Sequence, residues 1–167
     1  MKCPVSTIVP LRDDISFIAG AAISCGTGTA WGALERLDLK ANQTIAIFGM
    51  GPVGLSAVML AHSMGAKIIA LDINKQRLNR SIEFGADIII NPAESLDLLT
   101  EIKDHTKGLG VNASIDASSS PSARSHSVKC VKTWGKACFI GEGGEVTLDV
   151  SNDCLLYTSD AADDLTR

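Results

Sequence analysis

The sequence predicts an α/β fold built on a doubly wound parallel sheet. Three features carry this prediction: short apolar runs alternate with helical stretches, a glycine turn follows the first run directly, and an acidic residue closes the second run. Short continuous apolar strands are typical of a parallel sheet that is buried on both faces. Strands that alternate with helices indicate right-handed crossover connections between parallel neighbours.

Five strands are predicted in the main part of the chain, at residues 44–48, 66–71, 87–90, 113–117 and 136–140. The helices between them are predicted at residues 53–64, 75–84, about 95–107 and about 121–132. Gly65, Gly85 and Gly108 lie where these helices should end, which is the usual position of a C-cap glycine. Residues 145–150 alternate between polar and apolar and predict one more strand, at an edge of the sheet.

The residues before the first strand have a different character and predict a short helical connector. A loop leads into a helix from Ser16 to Ala22, which we expect Asp14 or Ser16 to cap. Residues 24–29 predict a polar turn, and a second helix is expected from Ala30 to about Arg36.

The last fourteen residues, 154–167, resemble the translation of a transposase-end adaptor used in DNA sequencing libraries. We therefore expect the genuine protein to end near Asp153 and the tail to be read-through. The alternative is an ordinary acidic tail, and genomic sequence that continues into these codons would decide for it.

Composition and charge exclude several classes of protein. Of 167 residues, 46% are hydrophobic and 4% aromatic, which is enough for one aliphatic core. The net charge is −4 and the basic residues are scattered, so no nucleic acid or anionic membrane is expected as a partner. No apolar run approaches the roughly 18 residues of a membrane span. The first residues lack the apolar centre of a signal peptide, and five cysteines without a CxxC pair indicate reduced thiols in a cytoplasmic protein.

The glycine turn after the first strand reads Gly49-Met50-Gly51-Pro52-Val53-Gly54. Gly49 permits a tight turn, Gly51 lets the backbone approach a pyrophosphate, and Gly54 lets the helix pack closely. Pro52 suits the first position of a helix, and the free N–H groups that begin at Val53 favour phosphate. The turn therefore predicts a dinucleotide-binding site. The alternative is a glycine-rich connection without a ligand.

Asp72 closes the second strand, 18 residues after Gly54. A carboxylate at this position can accept both ribose hydroxyls of an adenosine. It would also repel the 2′-phosphate of NADP, by roughly 4 kcal/mol for like charges about 4 Å apart at an effective dielectric near 20. Lys75 and Arg77 would soften that repulsion, so the prediction is a preference for NAD. The alternative is that Asp72 only caps the helix from Lys75.

Taken together, these motifs resemble the cofactor-binding part of the medium-chain, zinc-dependent alcohol dehydrogenases. The resemblance runs from about Leu11 to Asp153 and includes the segment Cys25-Gly26-Thr27-Gly28-Thr29-Ala30-Trp31-Gly32 upstream of the glycine turn. Asp72-Ile73-Asn74-Lys75 and Phe139-Ile140-Gly141 complete it. It implies a Rossmann-type NAD-binding domain at 44–153, with residues 1–43 as a connector from a catalytic domain that is missing here.

The resemblance also implies roles for individual residues. Cys25 would supply one thiolate to a catalytic zinc in the complete enzyme, and Asp72 would bind the ribose. The other implied cofactor contacts are Thr29 near the nicotinamide, Arg77 beside the adenosine, Ser118 beside the adenine, and Ile140 and Gly141 near the carboxamide.

One cysteine does not make a zinc site, because catalytic zinc needs three protein ligands and an open position. His62 is expected inside the fold or on its surface, and His105 and His126 on solvent-facing helices, none with a metal role. Cys130 and Cys138 lie in apolar periodic settings and are expected in the core. No catalytic residue is predicted in this chain.

The function expected from the resemblance is that of the NAD-binding portion of a zinc-dependent alcohol or polyol dehydrogenase. Its substrate would be a small alcohol or carbonyl compound, and the complete enzyme could be a homo-oligomer. Three alternatives stay open: a zinc-free quinone or enone reductase of the same superfamily, a methyltransferase that uses S-adenosylmethionine, and a non-catalytic nucleotide-binding module.

Overall fold

A computed structural model describes residues 2–149, 151 and 153 of the chain. The predicted read-through tail, 154–167, lies outside the described residues. The described residues form one five-stranded sheet in the order β3-β2-β1-β4-β5, and every neighbouring pair is parallel. Its strands are Thr44–Phe48 (β1), Lys67–Leu71 (β2), Ile88–Ile90 (β3), Val111–Asp116 (β4) and Val131–Phe139 (β5). The predicted α/β fold with a parallel sheet is confirmed.

Helices cover both faces of this sheet. Alternate strand residues belong to two separate apolar clusters, with Ile45 and Ile47 in one and Ala46 and Phe48 in the other. Because side chains alternate across a strand, the two clusters lie on opposite faces. The helices that follow β1, β2, β3 and β4 are Pro52–Ser63 (α3), Lys75–Glu83 (α4), Leu98–Asp104 (α5) and Pro121–Lys129 (α6).

The first two helices are joined differently from the prediction. Phe17–Ala22 (α1), a π-helical turn at Ile23–Thr27 and Gly28–Leu37 (α2) follow without a break. The polar turn predicted at residues 24–29 is therefore wrong. The Ser24 hydroxyl donates to the Ala21 carbonyl at 3.0 Å, so this polar side chain is satisfied within the helix. Of the two proposed caps, Ser16 is the one observed, and its side chain accepts from the Ala19 N–H.

The helix from Phe17 to Leu37 has 21 residues and a mean hydropathy of 1.2, which by length and composition would let it cross a membrane. No apolar run long enough to span a membrane is expected from the sequence. Length and composition are weak evidence, since core helices of soluble proteins pass the same test. Only 17% of the apolar window of this helix is buried. Its buried residues, among them Ala30 and Leu34, all belong to α2.

The other differences concern the ends of elements. The helices α5 and α6 are shorter than predicted, and β5 begins earlier, at Val131. The pairing of β5 with β4 shifts between Val111 and Ala113, which pair with Val131 and Lys136. Residues 145–149 form no strand, so the predicted edge strand is wrong within the described residues, and residue 150 lies outside them. Positive φ angles of 72° and 76° at Gly143 and Gly144 interrupt the extended chain before that segment.

Candidate functional site

The glycine turn between β1 and α3 places its three glycines in different surroundings. Gly49 has a φ of 92°, and a Cβ there would lie 2.9 Å from Ser118. A Cβ on Gly54 would collide with the Gly49 carbonyl oxygen. Around Gly51, by contrast, no atom lies within 4 Å of such a Cβ. Gly49 and Gly54 are therefore required by the turn itself, whereas Gly51 leaves an open approach to the backbone.

The start of α3 faces this open space. Gly51 is the N-cap, so no side chain caps the first N–H groups of the helix. Pro52 occupies the first turn, as the sequence predicts. The first N–H groups of a helix have no partner within it and carry a partial positive charge. At Val53 and Gly54 these groups give the end of the helix a partial positive charge without any charged side chain.

The carboxylate of Asp72 joins the end of β2 to the glycine turn. One oxygen accepts from the Met50 N–H at 2.7 Å and the other from the Asn74 N–H at 2.8 Å. The side chain is 8% exposed, yet each carboxylate oxygen keeps a further lone pair. Asn74 caps α4, accepting from the N–H groups of Gln76 and Arg77. The alternative that Asp72 caps this helix is therefore wrong.

Beside Asp72 lies a cavity of about 470 Å³, between the carboxyl ends of the strands and α6. It brings together five residues that the sequence analysis names, which are Gly49, Gly51, Asp72, Arg77 and Ser118. It also contains residues that the sequence analysis does not assign to the cofactor site, and these include Ser120, Ser122 and His126. Ser120 is the N-cap of α6, and Ser122 and His126 follow the proline that starts it. Only the packing of α6 shows that they face the cavity.

His126 of α6 was expected on a solvent-facing surface, which is wrong. It is half-buried and lines the cavity. Burial lowers the pKa of its imidazole, the charge of Lys129 lowers it further, and Asp97 opposes both effects. The neutral imidazole is therefore favoured at this wall of the cavity.

The segment that carries Cys25 and Thr29 lies beside the start of α3 and not in the cavity. The hydroxyls of Thr27 and Ser56 are 3.2 Å apart, which ties the π-helical turn to α3. Cys25 and Thr29 themselves are exposed. Among the described residues, no three His, Cys, Asp or Glu side chains are grouped to hold a metal ion. The described part of the chain therefore does not fit a zinc ion by itself.

The end of β5 is held against the end of β4. The N–H groups of Ile140 and Gly141 both donate to the Asp116 carbonyl at 2.9 Å. The Gly141 carbonyl accepts from the Arg124 guanidinium at 2.6 Å. Both polar backbone groups of Gly141 are thus engaged within the protein. The contribution of Asp116 and Arg124 was not foreseen from the sequence, because their approach depends on the packing of α6.

Cys130 is buried in one apolar cluster, as predicted, whereas Cys138 is only partly buried and packs against the other. Cys130 is 0% exposed, and burial raises the pKa of its thiol to about 12. Burial also raises the pKa of Cys138, with the charge of Arg36 opposing it. Thiols in this state are weak nucleophiles and poor metal ligands.

Comparison with known proteins assigns the family of this site. The family model described as zinc-binding dehydrogenase matches residues 52–160, which includes part of the segment 154–167. The chain belongs to the zinc-binding dehydrogenase family. It is 34% identical over 149 residues to the zinc-type alcohol dehydrogenase-like protein YphC of Escherichia coli K12, and the match covers 89% of this chain and 42% of that protein.

Two further members of the family are similar to this zinc-binding dehydrogenase chain. Sorbitol dehydrogenase of Bacillus subtilis is 39% identical over 121 residues, with 71% of this chain and 34% of that protein covered. The crystal structure of benzyl alcohol dehydrogenase from Acinetobacter calcoaceticus matches with a TM-score of 0.81 and 32% identity, over 90% of this chain and 42% of that one. The resemblance to zinc-dependent alcohol dehydrogenases is confirmed. The chain spans less than half the length of these relatives.

Proposed function

We propose that this chain is the NAD-binding portion of an alcohol or polyol dehydrogenase. The observation that carries the proposal is the position of the Asp72 carboxylate, which is bonded to the Met50 N–H inside the glycine turn at 2.7 Å. A ribose on this carboxylate would bring its diphosphate to the open backbone at Gly51 and the amides that follow. The residues present therefore fit a dinucleotide.

Each half of the dinucleotide has its own set of residues in this proposal. The adenosine half would occupy the cavity beside Asp72, with Arg77 and Ser118 at its walls. The turn Gly49–Gly54 and the amide of Val53 would hold the diphosphate. The nicotinamide half would lie between Thr29 and the segment Ile140–Gly141, at the carboxyl ends of the strands. Bound NAD supplies a nicotinamide ring that accepts a hydride from the carbinol carbon of the substrate.

Cys25 would be the contribution of this chain to zinc binding. It is exposed and lies in a π-helical turn, a feature that is frequent at functional sites. Since catalytic zinc takes three protein ligands, the remaining ligands must come from outside the described residues. We therefore expect the isolated chain to bind NAD weakly and not to oxidise alcohols.

Calorimetry on the full chain tests the proposal. We expect heat of binding with NAD, less with NADP, and none with S-adenosylmethionine, which separates the dinucleotide site from that of a methyltransferase. The absence of heat with millimolar NAD, on protein whose fold is verified by circular dichroism, would refute the proposal. Zinc-dependent alcohol oxidation by the isolated chain would refute the expectation that it is inactive alone.

A further inference from the structure

Arg124 and Asp116 form a buried ion pair at the carboxyl edge of the sheet. The Nε of Arg124 lies 3.0 Å from the Asp116 carboxylate, and the two side chains are 8% and 0% exposed. Charges in the interior are costly unless they are paired and hydrogen-bonded. The geometry of this pair is therefore held more firmly than that of an exposed pair such as Arg80–Glu83, whose side chains are 59% and 63% exposed.

The pair connects three segments that surround the proposed cofactor. The second Asp116 oxygen accepts from the N–H and the hydroxyl of Ser118, at 3.0 and 2.6 Å. A second nitrogen of Arg124 donates to the Gly141 carbonyl at 2.6 Å, and its guanidinium lies 5.8 Å from the centre of the Phe139 ring. One side chain of α6 thus fixes the ends of both β4 and β5.

The fork of the guanidinium explains why this residue is an arginine. Its nitrogens point in fixed directions, so one can donate to Asp116 while another donates to Gly141. A lysine ammonium at the same place could pair with the carboxylate, but it would lose the fixed second direction. The same network reaches the glycine turn, because Ser118 abuts Gly49. The relative position of the two halves of the proposed site therefore depends on Arg124.

We propose that Arg124 is a positioning residue for the nicotinamide half of the coenzyme. It holds the segment Phe139–Gly141 at a set distance from the glycine turn, so that a dinucleotide anchored by its diphosphate meets the end of β5 in register. The inference rests on the proposed NAD-binding function. The adenosine half is assigned to the cavity beside Asp72, which the Arg124 side chain does not line. Ser118 at the wall of that cavity keeps its own two hydrogen bonds to the Asp116 carboxylate, on the oxygen that Arg124 does not contact.

Paired calorimetry with NAD and ADP-ribose, which lacks the nicotinamide, tests the proposal on the full chain. The unmodified chain should bind NAD more tightly than ADP-ribose. Arg124→Met and Arg124→Lys should lower the ratio of the two affinities by about tenfold, the effect expected from losing one well-placed charged hydrogen bond. Their affinity for ADP-ribose should stay within about twofold. Arg80→Met is the matched control, because Arg80 also contacts a carboxylate and a ring, those of Glu83 and Phe84. It should leave both affinities unchanged, because Arg80 does not line the cavity.

A second measurement needs no folded variant. In the unmodified chain, the Nε–H resonance of Arg124 should shift on addition of NAD and stay in place with ADP-ribose. Equal responses to the two ligands, or an unchanged affinity ratio in a folded Arg124 variant, would overturn the role of Arg124 and leave the proposed function intact. Failure of the unmodified chain to bind either ligand would overturn both.

Discussion

At the scale of single residues, the Asp72 carboxylate combines a structural contact with a proposed binding role. It holds the glycine turn through Met50 and the start of α4 through Asn74. A carboxylate has about four lone-pair sites, so the two backbone contacts leave room for two ribose hydroxyls. The same group thus shapes the turn and faces the proposed sugar.

Removing the charge of Asp72 should change coenzyme preference. In Asp72→Asn, one acceptor for the backbone remains while the repulsion of a 2′-phosphate is lost, so the ratio of NAD to NADP affinity should fall by at least about tenfold. Asp87→Asn is the control, because the Asp87 carboxylate also accepts a backbone N–H, from Ile68 at 2.7 Å, but at the amino ends of the strands, away from the cavity. Calorimetric titration with both coenzymes measures the ratio. An unchanged ratio in Asp72→Asn would contradict the ribose assignment.

Two glycine substitutions should separate folding from binding. In Gly54→Ala, the new Cβ collides with the Gly49 carbonyl, so the free energy of unfolding should fall by about 3 kcal/mol or more. In Gly51→Ala, the Cβ points into open space, so stability should stay within about 0.5 kcal/mol. NAD binding by Gly51→Ala should nevertheless weaken by about tenfold, since the Cβ would occupy the path of the diphosphate. Urea denaturation and calorimetry measure the two effects, and normal NAD affinity in Gly51→Ala would argue against the diphosphate position.

At the scale of elements, α6 links the cavity to the nicotinamide side. His126 and Ser122 face the cavity, while Arg124 is turned to the ends of β4 and β5. These residues lie within about a turn and a half of helix, so one short segment of α6 contributes to both ends of the proposed site. This helix is therefore the element whose packing most affects the site.

His126 should make stability depend on pH. Because burial lowers its pKa in the folded state, the unfolded state takes up the proton more readily as the pH falls through about 6.5, the ordinary histidine value. The contribution to stability is therefore present above that pH and lost below it. The unmodified chain should therefore lose more melting temperature than His126→Gln when the pH is lowered from about 7.5 to about 5.

Thermal melts at the two pH values test this expectation, with His105→Gln at the exposed end of α5 as the control for loss of a histidine. The same pH dependence in the unmodified chain and in His126→Gln would show that His126 does not contribute.

At the scale of the whole molecule, the sheet order places the site. The chain passes from β3 at one edge to β4 beside β1, so the connections after β1 and β4 diverge and leave a crevice at the carboxyl ends of these strands. The glycine turn, Asp116 and Ser118 all lie at this switch point. The continuous helix Phe17–Leu37 is buried at one end only. Its α2 part is packed into the core, while Phe17 and Ile18 of α1 are 88% and 87% exposed.

This division predicts unequal effects of apolar substitutions along one helix. Leu34→Ala should lower the free energy of unfolding by about 2–5 kcal/mol, because Leu34 is 1% exposed. The double variant Phe17→Ser with Ile18→Ser should change it by no more than about 0.5 kcal/mol. Urea denaturation measures both. A large loss in the double variant would show that α1 contributes to the stability of the sheet domain.

Much of the fold was predictable because local pattern and buried surface agree. The strand Thr44–Phe48 has the predicted bounds. A short continuous apolar run between a polar connector and a glycine is typical of a buried strand. The misassigned turn at residues 24–29 shows the opposite case. Glycine, serine and threonine there favour a turn locally, but α2 is packed in the core and Thr27 contacts Ser56 of α3, so the segment stays helical as a π turn.

The sequence by itself determined the parallel α/β fold, the glycine turn and the acidic end of β2, because each depends on backbone geometry that only certain residues permit. Only the tertiary structure decided that Asp72 is bonded to the turn, and that α6 brings His126 to the cavity and Arg124 to Asp116. Those contacts join residues from different elements. Their distances depend on how helices seat on the sheet, which no local pattern encodes.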